Sequence, residues 1–239
     1  MSKRLRLFPL NAVLFPGANL NLHVFEPRYK QMLNDCLESG EGFGVVLIRE
    51  GAEAGDTSVE PYDIGTIAQI GDVTQLPFGR FYVATTGVQR FRIDRVISRE
   101  PYLTVEAEVL GVDDEPDAVA DLDQLAEQVR ASFDQYLEII VEFSGTVPVI
   151  EVPSDAQGIS FLVADALQVA DAMKQRLLEL KSTRQRLTVE LGFLRRLLPQ
   201  LQRLLERKRE QIESGEADSA EDEFRDAQER YYGKYFSTN

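Results

Sequence analysis

The sequence predicts an α+β chain: a nearly closed sheet of six short strands carrying one helix, then a helical bundle ending in a long helix. Three observations carry this. Over residues 3–110 apolar residues recur mostly with the period of two of a pleated strand. Past residue 122 the period lengthens to the 3.6 of a helix. Between the two patterns lies GVDDEPDAVADLD (111–123), a sharp shift toward acidic residues. The expected division is a β-rich segment 1–111, a helical segment 112–212 and an acidic tail 213–239 with an aromatic end.

Each element has its own signal. Leu5 and Leu7 alternate with Arg4 and Arg6. In VLFPGANLNLHVFEPRYKQM (13–32) a Pro-Gly turn separates two strands, and Pro27 suits the first position of a helix, where its missing N–H costs nothing. Tyr29, Met32, Leu33, Cys36 and Leu37 form that helix's apolar face, and Glu26 is placed to meet its positive N-terminus. Phe43–Ile48 is a buried-strand run, and 51–62 reads as a loop. Ile64–Val73 and Phe81–Thr86 flank Leu76-Pro77-Phe78-Gly79-Arg80, a hairpin in which proline presets a turn dihedral and glycine closes the turn. Gly87 separates that strand from a further one, Val88–Ile97. Leu103, Val105, Ala107 and Val109 alternate with Thr104, Glu106 and Glu108, a half-buried strand. So many short strands favour closure, which removes exposed edges.

The helical half begins with a stripe of Leu122, Ala126, Val129, Phe133, Tyr136, Leu137 and Ile140. Ser154 or Asp155 can cap the next helix, whose face is Ile159, Leu162, Val163, Ala166 and Leu167. From Met173 through Leu177, Leu180, Leu187, Leu191, Leu194, Leu198 and Leu201 to Leu205, apolar residues follow steps of four and three, broken only at Arg184. Such a seam over 173–212 can zip a homodimer. Leu178, Phe193, Leu197 and Leu204 widen it, which favours packing inside one chain. Ser182 with Gln185 marks a break near 181, and Pro199 removes a backbone donor from the helix or kinks it.

Charge is segregated. Residues 111–172 carry 1 basic and 14 acidic groups, whereas 173–212 carry 11 and 4, within a total of −14. This balance disfavours broad nucleic-acid binding, whose affinity rests on phosphate contacts. No stretch approaches the length of a membrane helix, which argues against a membrane partner. One cysteine permits no internal disulfide, so an intracellular, cytoplasmic protein is the default.

Chemistry-bearing motifs are missing. No P-loop, G-x-S-x-G elbow or H-E-x-x-H occurs. The single histidine, His23, reads as a partly buried strand residue and Cys36 as core. Glu106 and Glu108 share a strand face of solvated type, and Arg90 and Arg92 read as a mixed-charge surface. Catalytic, cofactor and metal residues are therefore predicted to be none. The candidate partner-binding residues are Phe78 and Arg80 at the hairpin tip, with Tyr231, Tyr232, Tyr235 and Phe236 in the terminal YYGKYF.

Three separated segments, FPLNAVLFPGANLNLHVFEPRY (8–29), GTIAQIGDVTQLPFGRFYVATTGVQRFRI (65–93) and DALQVADAMKQRLLELKSTRQRL (165–187), resemble in order the N-terminal substrate-binding domain of Lon proteases. The resemblance implies a PUA-like pseudo-barrel followed by a helical bundle. It also implies a stand-alone, non-catalytic module that grips unfolded segments or a dedicated protein partner, since ATPase motifs and room for a protease domain are lacking. PUA-like barrels also include RNA binders, which leaves an RNA-associated protein as the alternative. Cereblon-type relatives of this domain add a zinc-bound, Trp-lined pocket, which one cysteine and no tryptophan exclude here.

Overall fold

Strand β1 (Ser2–Leu10) shows how the alternation becomes a barrel. Leu5 and Leu7 turn inward, and the strand pairs antiparallel with β7 (Thr104–Val109) on one side and parallel with β3 (Phe43–Glu50) on the other. In the computed structural model, which describes residues 2–53, 58–111, 119–145 and 150–214, these pairings complete a ring. From β7 the ring passes to β6 (Arg80–Ser98), then β5 (Ile64–Leu76), then β3, and back to β1. Strand β2 (Asn19–Val24) pairs with the first part of β6, and the two-residue β4 (Glu60–Pro61) pairs with β3. Among the described residues the sheet has seven strands. One of them, β4, lies inside the segment expected to be loop, where Val59 is buried.

The ring interior holds Leu5, Leu7, Val46, Phe91, Val105 and Ala107. A second cluster joins Phe8, Leu22, Val24, Phe43, Val45 and Val83 to helix α1 (Pro27–Ser39) through Tyr29, Met32, Leu33 and Cys36. Phe8 stacks on Tyr29 with ring centroids 4.1 Å apart. Leu37 does not join this face; it is exposed in the last turn, before Gly40 closes the helix at φ 67. Hydroxyl groups fix the β1–β2 connection and β2 itself: Thr66 Oγ1 donates to the Leu14 carbonyl at 2.6 Å, and Thr85 Oγ1 to the Leu20 carbonyl in β2 at 2.7 Å.

Gly87 does not divide two strands. Strand β6 runs unbroken through it for 19 residues. A Cβ there would lie 2.3 Å from the Phe15 carbonyl oxygen, and the backbone bonds Gly17 N–H to Gly87 O and Gly87 N–H to Ala18 O, each 2.8 Å, hold that close approach. The glycine permits another backbone to lie against a continuous strand.

The chain divides into two compact units, Met1–Asp113 with Asp171–Glu179, and Asp114–Ala170 with Leu180–Asn239. The long C-terminal pattern is two helices, α4 (Asp171–Glu179) and α5 (Thr183–Ser214). Ser182 Oγ accepts the Gln185 N–H at 3.2 Å at the break, and α5 continues through Pro199. Helix α4 belongs to the barrel unit. There Arg90 donates to the Leu178 carbonyl at 2.7 Å and Gln175 Nε2 to the Ile64 carbonyl at 3.0 Å.

In the second unit α5 packs with α2 (Val119–Ser144) and α3 (Ala156–Ala166). Asp155 caps α3 by accepting the Gly158 N–H at 2.8 Å. Val129, Phe133, Tyr136, Ile159, Val163 and Leu167 meet the seam residues Leu187, Leu191, Leu194, Leu198, Leu201 and Leu205 in one core. This part of the seam is occupied by the chain's own helices. Ile139 and Phe143 extend the α2 stripe beyond the predicted set.

Candidate functional site

Strands β5 and β6 stay paired up to Leu76–Arg80, so the tip is the three-residue turn Pro77–Gly79. Strand β3 borders β5 only at residues 66–68. Beyond Gln69 the outer edge of β5 has no partner strand among the described residues. Phe78 stands at the tip with 92% of its surface exposed. Its φ is 64, a left-handed conformation that a bulky side chain rarely adopts and that costs about 1–3 kcal/mol. A single exposed aromatic is ordinary on a protein surface. An exposed aromatic on a disfavoured backbone at a projecting turn is unusual.

Period two places a set of side chains on one outward face beside this tip. Register pairs His23 with Tyr82 and Thr74 with Tyr82, so these residues share a side with Arg80 and Leu76. His23 is exposed, which corrects its expected partial burial: Leu22 and Val24 take the inward positions of β2 and leave His23 outward. Phe25, directly after β2, is 55% exposed, and Tyr82 is 42% exposed. Arg80 Nε donates to the Pro77 carbonyl at 3.2 Å, and its guanidinium lies 5.9 Å from the Phe78 ring centre. The Lys30 ammonium reaches over the same turn from α1, 3.8 Å from where a Cβ on Gly79 would stand. Of the sequence-predicted candidates, Phe78 and Arg80 are thus adjacent. Tyr231, Tyr232, Tyr235 and Phe236 lie outside the described residues. Phe25, Lys30 and Tyr82 were not singled out from sequence, although strict alternation along 19–25 carried the signal for Phe25 and His23.

The other residues weighed for chemistry have structural surroundings. Cys36 is buried, and burial pushes its thiol up to about 11 despite the nearby Arg6, so it carries little thiolate at neutral pH. Glu106 accepts from Arg95 at 2.5 Å and Glu108 from Arg92 at 2.6 Å, pairs on the outer barrel wall. Arg90 is not part of a surface: it is buried and holds the end of α4. Glu26 makes no cap hydrogen bond to α1; it accepts Arg28 Nε at 3.0 Å, while that guanidinium lies 4.5 Å over the Tyr29 ring. Arg195 bonds Gln128, and Arg209 pairs with Glu142 at 2.6 Å, so these basic residues of α5 meet the acidic helix α2.

One buried polar cluster was not foreseen. Arg186 is fully buried; it donates to Ser160 Oγ at 2.8 Å, Leu180 O at 3.2 Å and Thr183 Oγ1 at 3.2 Å, and lies 4.0 Å over the Phe161 ring. One turn on, Glu190 is also buried, and neither carboxyl oxygen finds a hydrogen-bond partner among the described residues. Burial raises its carboxyl well above the usual range, with Arg186 opposing. Among the described residues no group of three or more His, Cys, Asp or Glu side chains could hold a metal, and no helix is long and apolar enough to cross a membrane.

Comparison with known proteins sets this surface in context. A family model described as the ATP-dependent protease La (LON) substrate-binding domain matches residues 4–196. The Lon protease of Flavobacterium johnsoniae is 29% identical over 201 residues, covering 80% of this chain and 24% of that protein. The Lon protease of Anaeromyxobacter dehalogenans is 26% identical over 232 residues, covering 95% of this chain and 26% of that protein. The chain therefore spans about a quarter of the length of the curated relatives it matches. Among solved structures, the Lon N-terminal domain protein from Xanthomonas campestris superimposes with a TM-score of 0.60 at 27% identity, covering 80% of this chain and 98% of that one. The N-terminal domain of the Mycobacterium avium complex Lon protease, at 18% identity and a TM-score of 0.55, shares the fold over 80% of this chain and 98% of that one. With the family pattern running through both the strand ring and the helices that follow it, this chain belongs to the Lon substrate-binding domain family.

Proposed function

We propose that this chain is a non-catalytic protein-binding module that captures exposed apolar segments of client polypeptides at the tip and outward face of the β5–β6 hairpin. The observation that carries the reading is Phe78, exposed and held in a left-handed conformation at a projecting turn. Selection for stability alone favours glycine or asparagine there. The family's description as a substrate-binding domain supports a polypeptide ligand. The outer edge of β5 beyond Gln69, which has no partner strand among the described residues, adds a row of backbone donors and acceptors for an extended segment. Tyr231, Tyr232, Tyr235 and Phe236 are a second proposed contact, and a cytoplasmic setting accords with the single cysteine.

The test is site-specific photocrosslinking from position 78 to a destabilised client protein. Crosslinks that compete with unlabelled client support the reading. Equal capture by wild type and Phe78→Ser in a pull-down would overturn it.

A further inference from the structure

The surface around Phe78 carries a charge pattern as well as an aromatic one. The chain as a whole has a net charge of −14. At the tip, however, two cations stand by the turn: Arg80 from β6 near the Phe78 ring and Lys30 from α1 beside Gly79. Neither forms an ion pair among the described residues. On the outer wall of β6 the arginines Arg92 and Arg95 are matched across strands by Glu108 and Glu106. Arg80 and Lys30 border the patch of Phe25, Phe78 and Tyr82, with His23 beside Tyr82 in register.

We infer that the hairpin surface selects extended polypeptide segments in which an aromatic or large apolar side chain is flanked by carboxylates. This rests on the protein-binding reading above and adds the chemical class of segment. The apolar side chain sits against Phe78 and Tyr82, and carboxylates on either side of it reach Lys30 and Arg80. Two cations are too few to hold a phosphate backbone on a protein of this acidity, so the pattern fits a short acidic-apolar peptide better than RNA. The long-range field of the acidic chain repels such a peptide while the tip attracts it. Contact is therefore confined to the tip, and its salt dependence follows the screening length of about 10 Å at 0.1 M.

The test uses the full chain and three labelled peptides of one length. Each has a central Phe-Leu pair flanked by Asp, by Ser or by Lys, and all are measured by fluorescence anisotropy beside a labelled single-stranded RNA. Exposed ion pairs are individually weak, so the Asp-flanked peptide is expected to bind about three- to tenfold more tightly than the Ser-flanked one, and the Lys-flanked peptide more weakly still. The difference shrinks as salt rises. In the double variant Lys30→Gln, Arg80→Gln, whose fold is checked by circular dichroism, the three peptides come within about twofold of one another. Phe78→Ser weakens all three. Equal affinities for the three peptides, with Phe78→Ser still weakening them, would overturn the charge preference and leave the protein-binding reading standing. Retention of RNA with no peptide binding would overturn both.

Discussion

Glu190 shows what burial does to one carboxyl. Its folded-state affinity for a proton is raised well above the ordinary value of 4.5, because desolvation outweighs the attraction of Arg186. The folded chain then binds more protons than the unfolded chain from about pH 4.5 upward, so stability falls as pH rises through that range. Glu190→Gln removes the titration. Urea midpoints measured from about pH 5 to about pH 9 are expected to decline for wild type and to decline less for the variant. Parallel curves would show that Glu190 is not the group responsible. Phe78 has the opposite character, exposed and on a disfavoured backbone. Phe78→Gly relieves the left-handed strain and is expected to gain about 1 kcal/mol in chemical denaturation while client capture falls. A variant that loses stability would show that the ring packs on the hairpin. The sequence could not disclose Arg186 and Glu190. A charged pair one turn apart on a helix reads as a solvated face, and only the packing of α3, through Ser160 and Phe161, makes it interior.

At the scale of elements, β6 depends on Gly87 and α4 on Arg90. Gly87→Ala drives a methyl group into the Phe15 carbonyl and is expected to cost about 2 kcal/mol, read from thermal or urea unfolding. A neutral result would mean that the 13–18 segment moves aside at no cost. Arg90→Met leaves the Leu178 carbonyl without its donor, an expected cost of about 2 kcal/mol. Hydrogen exchange should show the loss of protection centred on α4. Local signals gave the strands and helices well. The alternation of Leu103, Val105 and Ala107 against Thr104, Glu106 and Glu108 needs no partner to be seen, nor does the Pro-Phe-Gly turn. Gly87 was misread because its role is set by a segment 70 residues away in sequence, not by its neighbours. Arg90 and Arg92 look alike in the sequence, yet Arg92 meets solvent and Glu108 while Arg90 meets α4.

For the whole molecule, the two units are not two successive lengths of chain. Helix α4 falls late in the sequence and belongs to the barrel unit. A fragment ending at residue 113 therefore leaves Arg90 and the Ile64 carbonyl without the α4 groups that meet them. Fragment 1–113 is expected to unfold at lower urea than the same fragment carrying residues 171–180 on a flexible linker. Equal midpoints would show that α4 contributes nothing to the barrel. The shift in period near residue 111 reports where helices start, but a period cannot say which core a helix will join.

The closure of the ring by β1 bears on how the protein is made. Leu5 pairs with Val105, a partner synthesised 100 residues later. At ordinary elongation rates of about 5–20 residues per second, β1 waits roughly 5–20 s for that neighbour to be translated. The parallel contact with Gly44–Leu47 is available sooner, but it leaves one edge of β1 open throughout that interval. Ser2, Lys3, Arg4 and Arg6 place polar and charged side chains along that edge during the wait, which guards a nascent barrel against pairing with the wrong chain.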